Sequence, residues 1–191
     1  MTRYVMIMDQ RRCIGCQSCT VACRTHNDLP LDIMFNPVVT EGVLGEFPNV
    51  HQTWTPLICM HCANPPCTIC CPCNASKHEE DGIVWVDGAK CMACKVCVNS
   101  CPYGARDNSS LDPRIRSYVR KCDFCMDRVR EGEQNYCVKT CHQNARIFGD
   151  LDDPNSEVSK LINGMRTERI FPELGTDPQV YYIPASGGAK L

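Results

Sequence analysis

The sequence predicts a mixed α+β protein that consists of two small cysteine-rich modules, one inserted in the other, with long irregular connections. Two observations lead to this expectation. Eighteen of the 191 residues are cysteine, and sixteen of these form four runs of four. Short apolar segments bounded by turn residues flank the runs, which is the pattern of short strands. Modules of this size bury little apolar surface, so we expect metal binding and folding to be coupled.

Composition and charge exclude two classes of protein. The formal net charge of -2 does not supply the positive surface that a nucleic-acid-binding protein needs. No apolar run approaches the roughly 20 residues that span a bilayer. The first residues also lack the charged, apolar and small-residue order of a secretory signal. If the chain is exported, we therefore expect a partner to carry it.

The two central cysteine runs have a spacing that is typical of [4Fe-4S] sites. In such motifs three closely spaced thiolates bind one cluster, and a fourth, held before a proline, binds the neighbouring cluster. The runs are Cys59, Cys62, Cys67 and Cys71, followed by Pro72, and Cys91, Cys94, Cys97 and Cys101, followed by Pro102. Each run therefore needs the other. The predicted ligand sets are Cys59, Cys62, Cys67 and Cys101 for one cluster and Cys91, Cys94, Cys97 and Cys71 for the second.

The two outer runs follow the same rule, although a long gap opens the last one. They are Cys13, Cys16, Cys19 and Cys23, and Cys122, Cys125, Cys137 and Cys141. Because the central runs already satisfy each other, we expect the outer runs to exchange their fourth ligands. The predicted sets are Cys13, Cys16, Cys19 and Cys141, and Cys122, Cys125, Cys137 and Cys23. A tandem pairing of first with second run and third with fourth is the alternative, but it would leave the proline-marked runs unpaired with each other.

Disulfides and zinc are the competing explanations of so many cysteines. Disulfide scaffolds are usually shorter, and they do not repeat three cysteines at two-residue gaps. Zinc sites combine two cysteine pairs separated by a longer arm, so a third cysteine after each pair fits them poorly. Two cysteines, Cys70 and Cys73, lie outside the sixteen ligands, and we expect them to be buried free thiols. A register that uses Cys67, Cys70 and Cys73 is the alternative, but it would orphan Cys71.

Three short apolar segments predict strands. Residues 4–9 precede the first run and residues 145–151 follow the last. The third segment, IVWV at 83–86, lies between two Asp-Gly turns and is expected to alternate its side chains between two faces. By contrast, residues 24–57 are rich in Pro, Gly and Asn and predict a long irregular connection that contacts a partner or covers a cluster.

After the last run, Ser156 is expected to cap a short helix that turns Val158, Leu161 and Ile162 inward. A turn is expected at 111–113. The remainder of the tail, including the apolar patch at 180–183, is expected to wrap over the body and to end loosely at 187–191.

The residues contain no catalytic set. The five histidines are scattered, and neither a glycine-rich phosphate loop nor a nucleophile with a placed base is present. We expect His61, between two ligands, to pack or to tune a cluster. Complete cysteine ligation leaves no open iron for a substrate, so the sequence predicts a relay of single electrons through four clusters.

The motifs CIGCQSCTVAC, CMHCANPPC, CMACKVCVNSCPYGAR and KCDFCMDRV resemble those of the iron-sulfur subunits of the dimethyl sulfoxide reductase family, and most of all polysulfide and thiosulfate reductase. The resemblance runs from about Tyr4 to Asp153. It implies two ferredoxin-like modules, with 1–57 and 114–150 as the outer module, 58–113 as the inserted module and 151–191 as a C-terminal wrapping tail.

The resemblance also implies partners. They are a catalytic subunit with a molybdenum or tungsten bis-pterin cofactor and an integral-membrane quinol-binding subunit, without nucleic acid. The subunit would lie at the bacterial membrane through these partners, on the periplasmic face after co-export, or alternatively in the cytoplasm. A second functional hypothesis is the small subunit of a soluble cytoplasmic molybdopterin enzyme that acts on aromatic hydroxyls, and a third is a zinc-binding scaffold.

Overall fold

The structure, a computed structural model, describes residues 2–107 and 118–185. The turn expected at 111–113, the module boundary expected at 113/114 and the loose end expected at 187–191 lie outside these residues. The strands are β1 (Tyr4–Asp9), β2 (Val38–Leu44), β3 (His51–Pro56), β4 (Ser76–His78), β5 (Val84–Val86), β6 (Arg146–Asp150) and β7 (Val180–Ile183). The helices are α1 (Ser18–His26), α2 (Pro66–Ile69), α3 (Val96–Asn99), α4 (Met126–Arg130), α5 (Tyr136–Lys139) and α6 (Glu157–Gly164), followed by a 3-10 turn at Pro172–Leu174.

The main sheet has the order β6-β1-β7. β1 pairs antiparallel with β6, so that the strand before the first cysteine run lies beside the strand after the last one. Met6 and Met8 pack into the larger core cluster, whereas Val5 and Ile7 pack into a second cluster on the other face. Because both faces are covered, the strand reads as a continuous apolar run rather than an alternating one. The strands predicted at 4–9 and 145–151 are confirmed.

The C-terminal apolar patch at 180–183 forms a strand of the main sheet. β7 pairs parallel with β1, and Val180 and Tyr182 have no exposed surface. Tyr182 also donates a hydrogen bond to the carbonyl of Pro56 at 2.9 Å. A parallel partner is remote in sequence. No local turn therefore revealed this pairing.

The β4–β5 hairpin repeats the local geometry of the main sheet. The backbone N–H of Asp87 donates to the carbonyl of Ala75 at 2.8 Å, and that of Asp9 donates to the carbonyl of Ala145 at 2.8 Å. Both aspartates also accept a hydrogen bond from the N–H two residues on, at 3.0 Å in each case. Each turn then leads into a cysteine run. The predicted strand at 83–86 is confirmed from Val84 onward.

Residues 24–57 are less irregular than expected. β2 and β3 form an antiparallel pair with a register shift between Thr40 and Val43. The β-branched residues of VVTEGVL and HQTWTP favour strands, and this preference outweighs the Gly and Pro residues around them. Regular structure is absent at 27–37, between α1 and β2, and at 45–50, between the two strands.

Helix α6 covers one face of the main sheet, and the predicted Ser156 cap and inward-facing side chains are confirmed. The Ser156 hydroxyl accepts a hydrogen bond from the backbone N–H of Ser159 at 3.2 Å, which satisfies an N–H that would otherwise lack a partner. Val158 is fully buried, and Leu161 and Ile162 pack beside it against the sheet. Within residues 2–107 and 118–185, no helix is long and apolar enough to cross a membrane.

Candidate metal centres

Three cavities are each lined by four cysteines that come from two different runs. The first is lined by Cys13, Cys16, Cys19 and Cys141. The second is lined by Cys23, Cys122, Cys125 and Cys137. The third is lined by Cys59, Cys62, Cys67 and Cys101. In each case the structure brings together one of the predicted sets, with the fourth cysteine supplied by the partner run.

The fourth predicted set combines Cys91, Cys94 and Cys97 with Cys71. Helices α2 and α3, which carry the third cysteines of the two central runs, are in contact. Cys67 and Cys97 lie in one buried cluster, and Cys91 packs against it. These contacts bring the two central runs side by side.

The local geometry of Cys71 matches that of the fourth cysteine in the last run. The backbone N–H of Ala75 lies 3.2 Å from the Cys71 Sγ, and that of Ala145 lies 3.2 Å from the Cys141 Sγ. Partial burial acts to raise the pKa of Cys71, but hydrogen bonds from the N–H groups of Ser76 and Ala75 outweigh it and lower that pKa. Hydrogen bonds of this kind stabilise a thiolate.

Each run wraps its site because of two repeated backbone features. The third cysteine is always the second residue of a helix, and the fourth follows it four residues later; these third cysteines are Cys19, Cys67, Cys97 and Cys137. The residue before the second cysteine always has a positive φ, with values of 68° at Gly15, 42° at His61, 56° at Ala93 and 59° at Phe124. The left-handed residue reverses the chain, so that the thiols of one run converge.

Burial makes several of the thiols poor acids, and their chemistry fits iron. Desolvation raises the pKa of Cys23, Cys62 and Cys125 to about 12 in each case. A buried thiolate without a counter-charge is costly. Iron provides that charge, and thiolates are the ligands of iron-sulfur clusters. All eighteen cysteines lie in the described part of the chain and are free, so the sixteen predicted ligands carry thiols that an iron-sulfur cluster can use.

Two buried arginines, which sequence reasoning missed, lie beside the thiols. Arg106 is 4% exposed and Arg146 is 3% exposed. Each lines one of the cavities, Arg106 with the Cys59 set and Arg146 with the Cys13 set. The signal in the sequence is their position, because each follows the last cysteine of its run by five residues.

A stack of two aromatic rings joins the central and outer runs. His61 lies between Cys59 and Cys62, and its ring stacks on that of Phe124 with centroids 3.6 Å apart and an interplanar angle of 12°. Nδ1 of His61 accepts a hydrogen bond from the N–H of Val84 at 3.0 Å. Burial, reinforced by the Lys121 ammonium, holds the pKa of His61 well below its usual value. His61 is therefore a neutral packing residue, as expected.

The two extra cysteines are half-exposed rather than buried, which corrects that expectation. Cys70 and Ser100 occupy equivalent positions in the two central runs. The backbone N–H of Cys70 donates to the carbonyl of Pro66, the first residue of α2, and that of Ser100 donates to the carbonyl of Val96, the first residue of α3, at 3.0 Å in each case. Cys73 lies beyond the helix, with its Sγ 3.8 Å from that of Cys71. This equivalence favours Cys71 over Cys70 as the fourth ligand.

Taken together, these features define an iron-sulfur protein in which cysteines of different runs line common cavities within a mixed α+β fold. Among residues 2–107 and 118–185, no three His, Cys, Asp or Glu side chains form a group suited to a single metal ion. The thiols surround cavities instead, and a cluster of several irons and sulfides needs such a space.

Comparison with known proteins identifies the family. The model of the 4Fe-4S dicluster domain matches residues 50–151. The protein is 40% identical to a selenate reductase subunit of Mesobacillus selenatarsenatis, over 95% of this sequence and 72% of the relative. It is 40% identical to a tetrathionate reductase subunit of Salmonella typhimurium, over 95% of this sequence and 72% of the relative. It is 37% identical to a polysulfide reductase chain of Wolinella succinogenes, over 97% of this sequence and 96% of the relative.

The protein belongs to the family of iron-sulfur subunits of dimethyl sulfoxide reductase-type molybdopterin oxidoreductases. It is an electron-transfer subunit and is not catalytic alone. The resemblance drawn from the four motifs is confirmed.

Proposed function

We propose that this subunit relays single electrons through four [4Fe-4S] clusters between a molybdenum or tungsten bis-pterin catalytic subunit and a membrane quinol-binding subunit. The supporting observation is the set of three cavities, each lined by four cysteines in a three-plus-one combination from two runs. The ligands of the fourth cluster follow from the matching geometry around Cys71 and Cys141.

The proposed ligands are the sixteen cysteines of the four sets. The nested arrangement follows from them, with the outer module formed by 1–57 and 114–150, the inserted module formed by 58–113, and 151–191 as a C-terminal wrapping tail. Strand pairing supports this division, because β1 pairs with β6 at the ends of the outer module and β4 pairs with β5 inside the inserted one. A tandem pairing would require Cys23 to line a cavity with the Cys59 run, whereas it lies with the Cys122 run.

The order of the sites supports a relay. Arg146 interacts electrostatically with thiols of both outer sites, and Arg106 with thiols of both central sites. The stack of His61 on Phe124 connects an outer with a central site. At the two ends of this order, Cys16 and Cys94 have exposed side chains. Exposed thiols at the ends and buried ones between them suit a path along which electrons enter at one surface and leave at another.

The partners and location follow from the family. Relatives are named as subunits of selenate, tetrathionate and polysulfide reductases. We infer a position peripheral to the cell membrane, held there by partners, on the periplasmic face after co-export. The hypotheses of a soluble enzyme for aromatic hydroxyls and of a zinc scaffold have no comparable support.

The test is metal analysis and anaerobic redox titration of the subunit purified with its partner. Four clusters of four irons correspond to about 16 irons per chain. We expect four one-electron centres in electron paramagnetic resonance spectra and co-purification of a large pterin-containing chain. Zinc in place of iron, or fewer than four cubane centres, would contradict the proposal.

A further inference from the structure

The buried guanidinium groups of Arg106 and Arg146 occupy equivalent places in the two halves of the fold. Both side chains have almost no exposed surface. Both follow a fourth cysteine by five residues, in CPYGAR and CHQNAR. The cost of burying a cation is several kcal/mol unless nearby groups compensate it. Both arginines therefore need compensating groups in their surroundings.

For Arg106, the compensating groups are cysteines of both central sites. Its Nη2 donates to the Sγ of Cys67 at 2.9 Å and to the hydroxyl of Ser76 at 2.6 Å. Burial acts to lower its pKa, but the charges of Cys67, Cys59 and Cys97 raise it above its usual value. Cys67 and Cys97 belong to different ligand sets, so one guanidinium contacts both central sites.

For Arg146, the compensating groups are cysteines of both outer sites. Its Nη2 donates to the side-chain oxygen of Asn36 at 2.6 Å. Burial again acts to lower the pKa, and the charges of Cys137, Cys19 and Cys141 are among those that raise it. Cys137 belongs to one outer set, whereas Cys19 and Cys141 belong to the other.

Both arginines also carry donors that have no protein partner. Nε and Nη1 of Arg106 and Nη1 of Arg146 are buried without a hydrogen bond. Buried donors are rarely left unpaired, because each costs about 1–3 kcal/mol. Since each arginine lines a cavity between thiols, an acceptor held in that cavity would satisfy the unpaired donors. The sulfides of an iron-sulfur cluster are such acceptors.

We propose that Arg106 raises the reduction potentials of the two central clusters, and that Arg146 does the same for the two outer clusters. This inference rests on the proposed function, and specifically on its four ligand sets. An oxidised [4Fe-4S] cluster with four thiolates carries a charge of about -2, and reduction adds one negative charge. A cation buried beside it favours the reduced form, because the interaction is weakly screened in the protein interior.

The experiment compares Arg106→Gln with Arg146→Gln in the purified complex by anaerobic potentiometric titration monitored by electron paramagnetic resonance. In Arg106→Gln, two of the four midpoint potentials should fall, each by at least a tenfold change in the equilibrium constant for reduction, or about 59 mV. In Arg146→Gln the other two should fall. Each variant is thereby the control for the other.

A matched charge control is Lys95→Gln. Lys95 lies between Cys94 and Cys97 and is exposed, so its charge is screened by water and salt. We expect a clearly smaller shift in this variant than in Arg106→Gln. Equal shifts in Lys95→Gln and Arg106→Gln would overturn the inference. It would also be overturned if all four midpoint potentials moved together, or if none moved, in Arg106→Gln or Arg146→Gln.

Two further measurements keep the test decisive. Iron analysis of the unchanged protein establishes the four clusters first, so a failure of the proposed function is distinguished from a failure of this inference. If a Gln variant does not assemble its clusters, the corresponding Lys variant, Arg106→Lys or Arg146→Lys, should restore the iron, because it retains the buried charge. A Lys variant that remains as iron-poor as the Gln variant would contradict a role for charge.

Discussion

The buried ring of Phe124 lies at the contact between the central and outer runs, and replacing it provides a quantitative test. Phe124 is 1% exposed. It stacks on His61 and meets Phe148 edge-on at 5.1 Å between centroids. In Phe124→Ala the surroundings cannot close on the empty space, because the hydrogen bond to Val84 fixes His61. We expect a loss of about 3–5 kcal/mol, the range for buried Phe-to-Ala changes that leave a cavity.

The assay is the rate of unfolding in guanidinium chloride under anaerobic conditions, followed by loss of the visible absorbance of the clusters. A change of about 3 kcal/mol corresponds to more than a hundredfold in an equilibrium constant, and most of it should appear as faster unfolding if the stack is lost before the transition state. Phe124→Leu should cost less, because it retains most of the volume.

The matched control is Phe47→Ala. Phe47 is 91% exposed, so its removal should change stability by no more than about 0.5 kcal/mol. A double-mutant cycle between Phe124 and His61 should also give a coupling of about 0.5–1.5 kcal/mol, as expected of an aromatic pair. If the Phe124→Ala variant unfolds as slowly as the Phe47→Ala variant, the argument that the stack of His61 on Phe124 stabilises the contact between the central and outer runs is refuted.

Three further predictions concern single positions. Cys71→Ser should lose about a quarter of the iron on metal analysis, whereas Cys70→Ser should retain it; the reverse result would establish the other register. Gly15→Ala should destabilise the Cys13 site and release iron more readily, because a Cβ would lie 2.3 Å from Trp54 at a backbone φ of 68°. Burial acts to raise the pKa of Asp9, but hydrogen bonds from Arg11 outweigh it and lower that pKa. The ionised Asp9 carboxylate therefore contributes its full stabilisation above its ordinary pKa of about 3.8. This contribution is lost as the pH falls through the lowered pKa of the folded protein. Asp9→Asn should thus accelerate guanidinium-induced cluster loss at pH 7, and the difference from the unchanged protein should shrink below pH 4; a difference independent of pH would contradict this reasoning.

Local patterns were reliable where the residues that interact are close in sequence. The Ser156 cap and helix α6 were predicted because a cap bonds an N–H only three residues away. β1 and β6 were predicted because each is a short apolar run beside a cysteine motif. The β2–β3 pair was missed although its two strands are close in sequence, because the surrounding Gly, Pro and Asn residues masked the signal of their β-branched residues.

The sequence by itself determined the chemistry, because the spacing of sixteen cysteines is a local property that suits iron-sulfur ligation and identifies the family. It also suggested which runs exchange their fourth ligands. Only the tertiary structure placed β7 beside β1 and buried Arg106 and Arg146 next to thiols of two sites each. Parallel pairing and the burial of a charge both depend on which remote segments pack together, and neither leaves a periodic pattern in the chain.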